Sequence, residues 1–195
     1  KSLIMLSKEQ QNILDATKTG DNIVVDAVAG TGKTTLILEI AKELGSRKIL
    51  QITYNKSLKF EVREKTKALS IDNLTIHTYH SLAVCYYSCT AHVDNEIKKI
   101  KINKKEPNRQ IPTFDMIVID EAQDMTLLYY QLIIKFIKDI GSPIQLLVLG
   151  DYMQGLYEFK GSDIRFLTMA EVIWKQHPSL RTQQFQKCTM KMSYR

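Results

Sequence analysis

The chain has 195 residues, 44% of them hydrophobic and 25% charged. Those are ordinary proportions for one globular domain, and they exclude a wholly disordered chain, a collagen or a fibre. Apolar runs such as residues 117–119 and 146–149 fall far short of the ~20 residues of a membrane helix, and the formal charge of +6 suits a polyanionic partner without requiring one.

In chain order, Ser7-Lys8-Glu9-Gln10 reads as a capping box that opens a helix to about residue 18, with Gly20 beyond its end. Residues 22–28 form a short β-branched strand, followed by a glycine turn at 29–32. A helix is expected over 34–44, with Gly45 placed as its C-terminal cap. A strand over 48–54, a helix over 57–67, a strand over 74–77 and a helix to about 88 come next. Residues 94–112 are lysine-rich and punctuated by Pro107 and Pro112, so an exposed excursion is expected. A continuous apolar strand over 114–119 leads to a helix over 126–140. Gly141-Ser142-Pro143 turns the chain into a strand at 144–149, residues 164–176 read as one helix, and 185–195 begin a last strand.

Strands alternating with helices, several of them apolar on both faces, indicate a mainly parallel sheet in a three-layer α/β domain spanning 1–195. Cys85, Cys89 and Cys188 are odd in number, which argues against a disulfide scaffold and for a reducing compartment. The chain opens on Lys1 without a secretory signal, so a trimmed, intracellular protein of the cytoplasm or nucleus is expected, with no membrane partner. His77, His80, Cys85, Cys89 and His92 cluster in sequence, yet their spacing fits no zinc motif, and buried thiols explain the cysteines better.

Ala29-Gly30-Thr31-Gly32-Lys33-Thr34 joins an expected strand to an expected helix, the setting of a phosphate-binding loop. Gly30 and Gly32 let backbone amides converge on phosphate oxygens, and the helix start adds partial positive charge. Lys33 is assigned to the β- and γ-phosphates of ATP, the Thr34 hydroxyl to Mg²⁺, and Thr35 to the same loop. Ala27 stands where the usual pattern has its first glycine. A second element matches. Asp120 ends an apolar strand, where it is assigned to hold Mg²⁺ through water, and Glu121 is assigned to orient and deprotonate the attacking water.

Asp120-Glu121-Ala122-Gln123-Asp124 together with residues 29–35 resembles the superfamily 1 DNA helicases of the UvrD/Rep type. Residues 6–10 resemble the adenine-reading Q motif, with Gln10 as its amide. Residues 52–56 resemble motif Ia in the shortened Tyr54-Asn55-Lys56 form of F-box helicases. Residues 75–82 are similar to the Thr-Phe-His-Ser segment, 149–157 to motif III, and Ser193-Tyr194-Arg195 to the Asn-Tyr-Arg of motif IV. The resemblance implies a RecA-like P-loop NTPase domain, the first motor domain of a helicase that translocates on single-stranded DNA. Gln154 would sense the γ-phosphate. Tyr54, Asn55, Tyr79, His80, Tyr157 and Phe159 would line the strand groove, Tyr194 would stack on adenine, and Arg195 would approach the γ-phosphate.

The resemblance also implies a second RecA-like domain after residue 195 that supplies an arginine. A monomer is expected, which binds nucleotide but hydrolyses it poorly alone, with contact to a duplex junction possible. An RNA-directed NTPase and a nucleotide-regulated binding module without turnover stay open as alternatives. Lys160 follows Phe159 where the family has arginine, and only residues 91–112 fill the place of a large accessory domain. Residues 96–109 alone carry six basic against two acidic side chains, a net of +4 that leaves +2 for the rest.

Overall fold

The structure, a computed structural model, describes residues 5–154 and 161–192. Six strands, β1 (Asn22–Ala27), β2 (Ile49–Thr53), β3 (Leu74–Thr78), β4 (Met116–Ile119), β5 (Gln145–Gly150) and β6 (Phe185–Met190), form one sheet. Its order is β3-β2-β4-β5-β1-β6 and every pairing is parallel. Because parallel neighbours need crossovers, helices cover both faces.

The strands split their side chains by the two-residue period of the pleat. Ile23, Val25, Ala27, Met116, Val118, Leu147 and Leu149 face α1 (Lys8–Lys18), α2 (Lys33–Glu43) and α3 (Lys56–Ala68). Val24, Leu50, Ile52, Ile117, Ile119, Leu146 and Val148 face the other layer, which holds α4 (Tyr79–Tyr86), α5 (Asp94–Ile102) and α6 (Leu127–Ile140). Burying each large aliphatic side chain stabilises the fold by ~1.5–3 kcal/mol before chain entropy is set against it.

The capping box at α1 forms as expected, with Ser7 Oγ accepting from the Gln10 amide and Gln10 Oε1 accepting from the Ser7 amide. At the end of α2 the expectation fails. Leu44 is the cap, and Gly45 is not among the left-handed glycines.

The lysine-rich stretch also differs from the expected excursion. Residues 94–102 form α5, with Asp94 and Glu96 in its first turn, Lys99 and Lys101 in its last, and Ile97 and Ile100 buried. The acids and bases suit the helix macrodipole, and the two isoleucines lie on one face three residues apart. The helix expected over 164–176 is broken into α7 (Arg165–Thr168), α8 (Ala170–Ile173) and a 3₁₀ turn (Trp174–Gln176). The break falls at Met169 (φ −118°, ψ 27°), and it lets Trp174 sit fully buried with its Nε1 donating to Phe166 O.

Candidate nucleotide site and strand-facing surface

The phosphate loop leaves the carboxyl end of β1, and the acidic pair leaves the carboxyl end of β4, with β5 lying between them. Gly30 and Gly32 hold φ of 77° and 87°, a region that costs a residue with a Cβ ~1–2 kcal/mol. Thr31 is buried and its hydroxyl donates to Val28 O at 2.6 Å, tightening the loop. Lys33, Thr34 and Thr35 open α2 directly after Gly32 and are half-buried, while Ala29 and Gly30 are exposed.

Lys33 reaches across the intervening strand. Its Nζ lies 2.6 Å from Glu121 Oε1 and 3.8 Å from Asp120 Oδ1. Burial alone would lower the Lys33 pKa, but Asp120, Glu121 and Asp151 together hold the ammonium above its ordinary value. Asp120 is only 2% exposed, and burial lifts its carboxyl to about 6. Lys33 offsets part of that rise and the Glu121 charge adds to it. Asp120 is thus a buried carboxylate short of positive charge, the donor that a hard divalent cation favours.

Glu121 sits in the left-handed region (φ 52°, ψ 44°). This conformation costs a non-glycine residue ~1–3 kcal/mol and persists only when its neighbours enforce it. The enforcing contacts are visible: Glu121 N donates to Asp120 Oδ1 at 2.9 Å, and Glu121 Oε2 accepts from Gln123 Nε2 at 2.6 Å.

Two glutamines that the sequence reading left without a role complete the site. Gln51, fully buried in β2, aims its Nε2 at Asp120 Oδ2 (3.4 Å). Gln123, 1% exposed, accepts from Asp151 N with Oε1, and its Nε2 lies 3.5 Å from Gln154 Oε1. One side chain therefore links the Glu121 carboxylate to the turn after β5. A Cβ on Gly150 would stand 2.6 Å from Gln123 Oε1 and 2.7 Å from Leu167 Cδ2, so any side chain here would push both groups aside.

Gln10 is placed against the loop itself. Its Nε2 donates to Gly32 O at 3.1 Å, its Oε1 serves the Ser7 amide, and the residue is fully buried. The amide thus ties α1 to the phosphate loop.

The strand-facing residues divide. Tyr54 is half-buried, and Asn55 caps α3 by accepting from Ser57 N and Leu58 N. Tyr79, expected to line the groove, is instead 1% exposed. It stacks on Tyr129 (centroids 4.5 Å, 16°) and packs against Tyr54 (4.8 Å). Tyr79 is therefore the floor beneath Tyr54, and offers no open face to a base. His80 is partly exposed, and its Nε2 lies 2.9 Å from Asp94 Oδ1, which also accepts from Tyr129 Oη. Tyr157, Phe159, Tyr194 and Arg195 lie outside the described residues. Among the described residues no group of three or more His, Cys, Asp or Glu is placed to hold a metal ion.

Residues 10–160 match the family described as AAA domain, a span that holds the phosphate loop, the acidic pair and Gln154. The chain belongs to that family. The domain is 31% identical over 157 residues to the ATP-dependent DNA helicase PIF1 of Candida albicans, covering 77% of this chain and 16% of that protein. It is 35% identical over 83 residues to the F-box DNA helicase 1 of Gallus gallus, covering 42% and 8%. The latter accords with the short Tyr54-Asn55-Lys56 segment.

Among solved structures, the domain superposes on the Pif1 helicase from Candida albicans with TM-score 0.55 at 20% identity, over 98% of this chain and 41% of that one. A structure of two coordinating Pif1 helicases at forked duplex DNA gives TM-score 0.56 at 14% identity, over 98% and 45%. The domain thus shares the RecA-like α/β fold of those structures. It spans less than a fifth of the length of the curated relatives described.

Proposed function

We propose that this domain is the ATP-binding motor half of a DNA helicase that moves along single-stranded DNA, working inside cells. The observation that carries the reading is the convergence of Lys33, Asp120 and Glu121 across an intervening strand, with Gln123 joining them to Gln154. Lys33 and the loop amides would hold the ATP phosphates, and Lys33 would leave its acidic partners to do so. Thr34 and Asp120 would hold Mg²⁺, which when bound supplies charge neutralisation at the phosphates. Glu121, freed from Lys33, is then the base that orients water, and its left-handed backbone keeps the carboxylate aimed at the loop.

Gln154 and Gln123 would pass the nucleotide state to the surface after β5. Arg195 and a second RecA-like domain would complete transition-state stabilisation. An arginine finger is worth ~10³–10⁵ in rate, so this chain alone is expected to bind nucleotide and turn it over slowly, as a monomer.

Glu121→Gln tests the assignment. It should leave nucleotide affinity intact while lowering single-strand-stimulated hydrolysis by ~10²-fold or more in a parent that carries both domains. Equal turnover by the variant would refute the role of Glu121. Rapid turnover by the isolated chain, abolished by Lys33→Ala, would refute the need for a second domain. Matched titrations with DNA and RNA strands at one salt concentration would expose an RNA preference.

A further inference from the structure

Strand β1 is apolar through Ile23, Val24 and Val25, and then carries a carboxylate, Asp26, just before it ends. A charge in a strand flanked by both β5 and β6 needs partners. Its side chain is only 15% exposed and lies on the sheet face of Val24. Both of its oxygens are engaged, each with a different neighbour. Oδ1 accepts from Tyr152 N at 3.1 Å, and Oδ2 lies 3.6 Å from Lys191 Nζ. Asp26 stands at the root of the phosphate loop, Tyr152 in the turn after β5, and Lys191 directly after β6.

The turn after β5 is held largely by side chains. Three consecutive amides donate to them: Asp151 N to Gln123 Oε1, Tyr152 N to Asp26 Oδ1 and Met153 N to Asp151 Oδ1. Gln154 N closes back on Asp151 O. Two grips therefore reach this turn from other segments, Gln123 from beyond β4 and Asp26 from β1. The two contacts of Asp26 differ in weight. Lys191 is 61% exposed, and such a solvated ion pair contributes little. The hydrogen bond to Tyr152 N is sheltered and charge-assisted, which makes it the stronger.

We infer that Asp26 is a positioning residue that fixes the turn carrying Gln154 to the strand carrying the phosphate loop. The inference rests on the motor reading above and adds a residue outside the motifs that suggested it. With both grips in place, the turn, Glu121 and the phosphate loop move as one body. Without Asp26 the turn is held from the Glu121 side only, and nucleotide and strand bind without sensing each other.

The test uses a parent that carries both domains. Fluorescein-labelled oligothymidylate is titrated by anisotropy with Mg²⁺, in the presence and absence of the β,γ-imido analogue of ATP. The ratio of the two affinities measures the coupling between the sites. Asp26→Ala should bring that ratio to about one and lower strand-stimulated kcat by ~10²-fold, the scale of a small remote misplacement. The KM for ATP and the strand-free turnover should stay at the parent's values. Asp26→Asn keeps an oxygen for Tyr152 N and should restore both coupling and kcat, while Lys191→Gln should change neither. If Asp26→Ala fails to fold by urea denaturation, Asp26→Val, a strand former, carries the same comparison. A parent whose oligothymidylate affinity ignores the nucleotide would bring down the motor reading, and this inference with it. A parent that couples, beside an Asp26→Ala variant that couples equally well, leaves the motor reading standing and overturns the role of Asp26. Failure of Asp26→Asn to restore coupling would also overturn it, since the charge and not the bond to Tyr152 would then matter.

Discussion

Replacing Asp120 by Asn should stabilise the nucleotide-free domain. Burial lifts the Asp120 carboxyl from 3.8 to about 6, even with Lys33 pulling it down. A rise of about two units corresponds to ~3 kcal/mol of destabilisation where the group is forced to ionise. The folded-state value lies above the unfolded one, so the folded chain holds the extra proton between them. The penalty is therefore absent below about pH 4, grows between about 4 and 6, and is fully present above. Asn keeps a carbonyl oxygen to accept from Glu121 N, the 2.9 Å bond of the parent.

The variant should match the parent at pH 4 and exceed it by ~3 kcal/mol at pH 7.5, roughly 10 °C in Tm at 2–4 °C per kcal/mol for this size. Urea denaturation across pH 4–8, free of nucleotide and divalent cation, measures the difference directly. Adding ATP and Mg²⁺ should stabilise the parent more than the variant, which keeps Lys33 and the loop amides but loses the Asp120 carboxylate. A variant no more stable than the parent at pH 7.5, or a difference that does not change with pH, would refute the reasoning.

Four further outcomes are expected. Lys33→Ala should lower ATP affinity at least ~10-fold by titration calorimetry, since among the described residues Lys33 is the cation placed between Asp120, Glu121 and the loop. Gly150→Ala should cost ~1–3 kcal/mol in denaturation, because its Cβ meets Gln123 and Leu167 below 3 Å. Nucleotide affinity should survive while strand-stimulated turnover falls. Gln10→Ala should lose ~1–2 kcal/mol as the capping-box contact to Ser7 and the bond to Gly32 O disappear together. It should also weaken nucleotide binding, read by fluorescence anisotropy. Neutralising Lys98, Lys101, Lys104 and Lys105 should flatten the salt dependence of DNA binding without altering ATP affinity. An unchanged slope would mark that surface as merely solvated.

The candidate nucleotide site was legible because its requirements are local. Two left-handed glycines, a lysine and a helix start must follow one another, and residues 29–35 show them in a row. The alternation of apolar strands and helices likewise revealed the parallel sheet. What escaped depends on distant partners. Gln51 and Asp120 lie 69 positions apart, and Gln123 meets Asp151 and Gln154 only because β4 and β5 are neighbours. The signal that could have found both glutamines is their polarity in otherwise apolar surroundings, which demands a buried partner. Helix α5 was masked by its lysines and two nearby prolines, although Ile97 and Ile100 carry the helical spacing. Tyr79 misled because a motif position says nothing of which side of the groove wall a ring occupies.

The strand order also bears on how the domain is made. The phosphate loop hangs from β1, yet β1 pairs with β5 and β6, whose residues lie more than 120 positions later in the chain. As the chain leaves the ribosome, β2 and β3 are the first strands able to pair as sequence neighbours, whereas β1 must wait with both edges open. Such long-range closure is slow, and unpaired strand edges invite aggregation. ATP binding is thus a late event in biosynthesis: a nascent chain arrested before residue 145 should hold no nucleotide, and added ATP should rescue yield only after β5 has emerged.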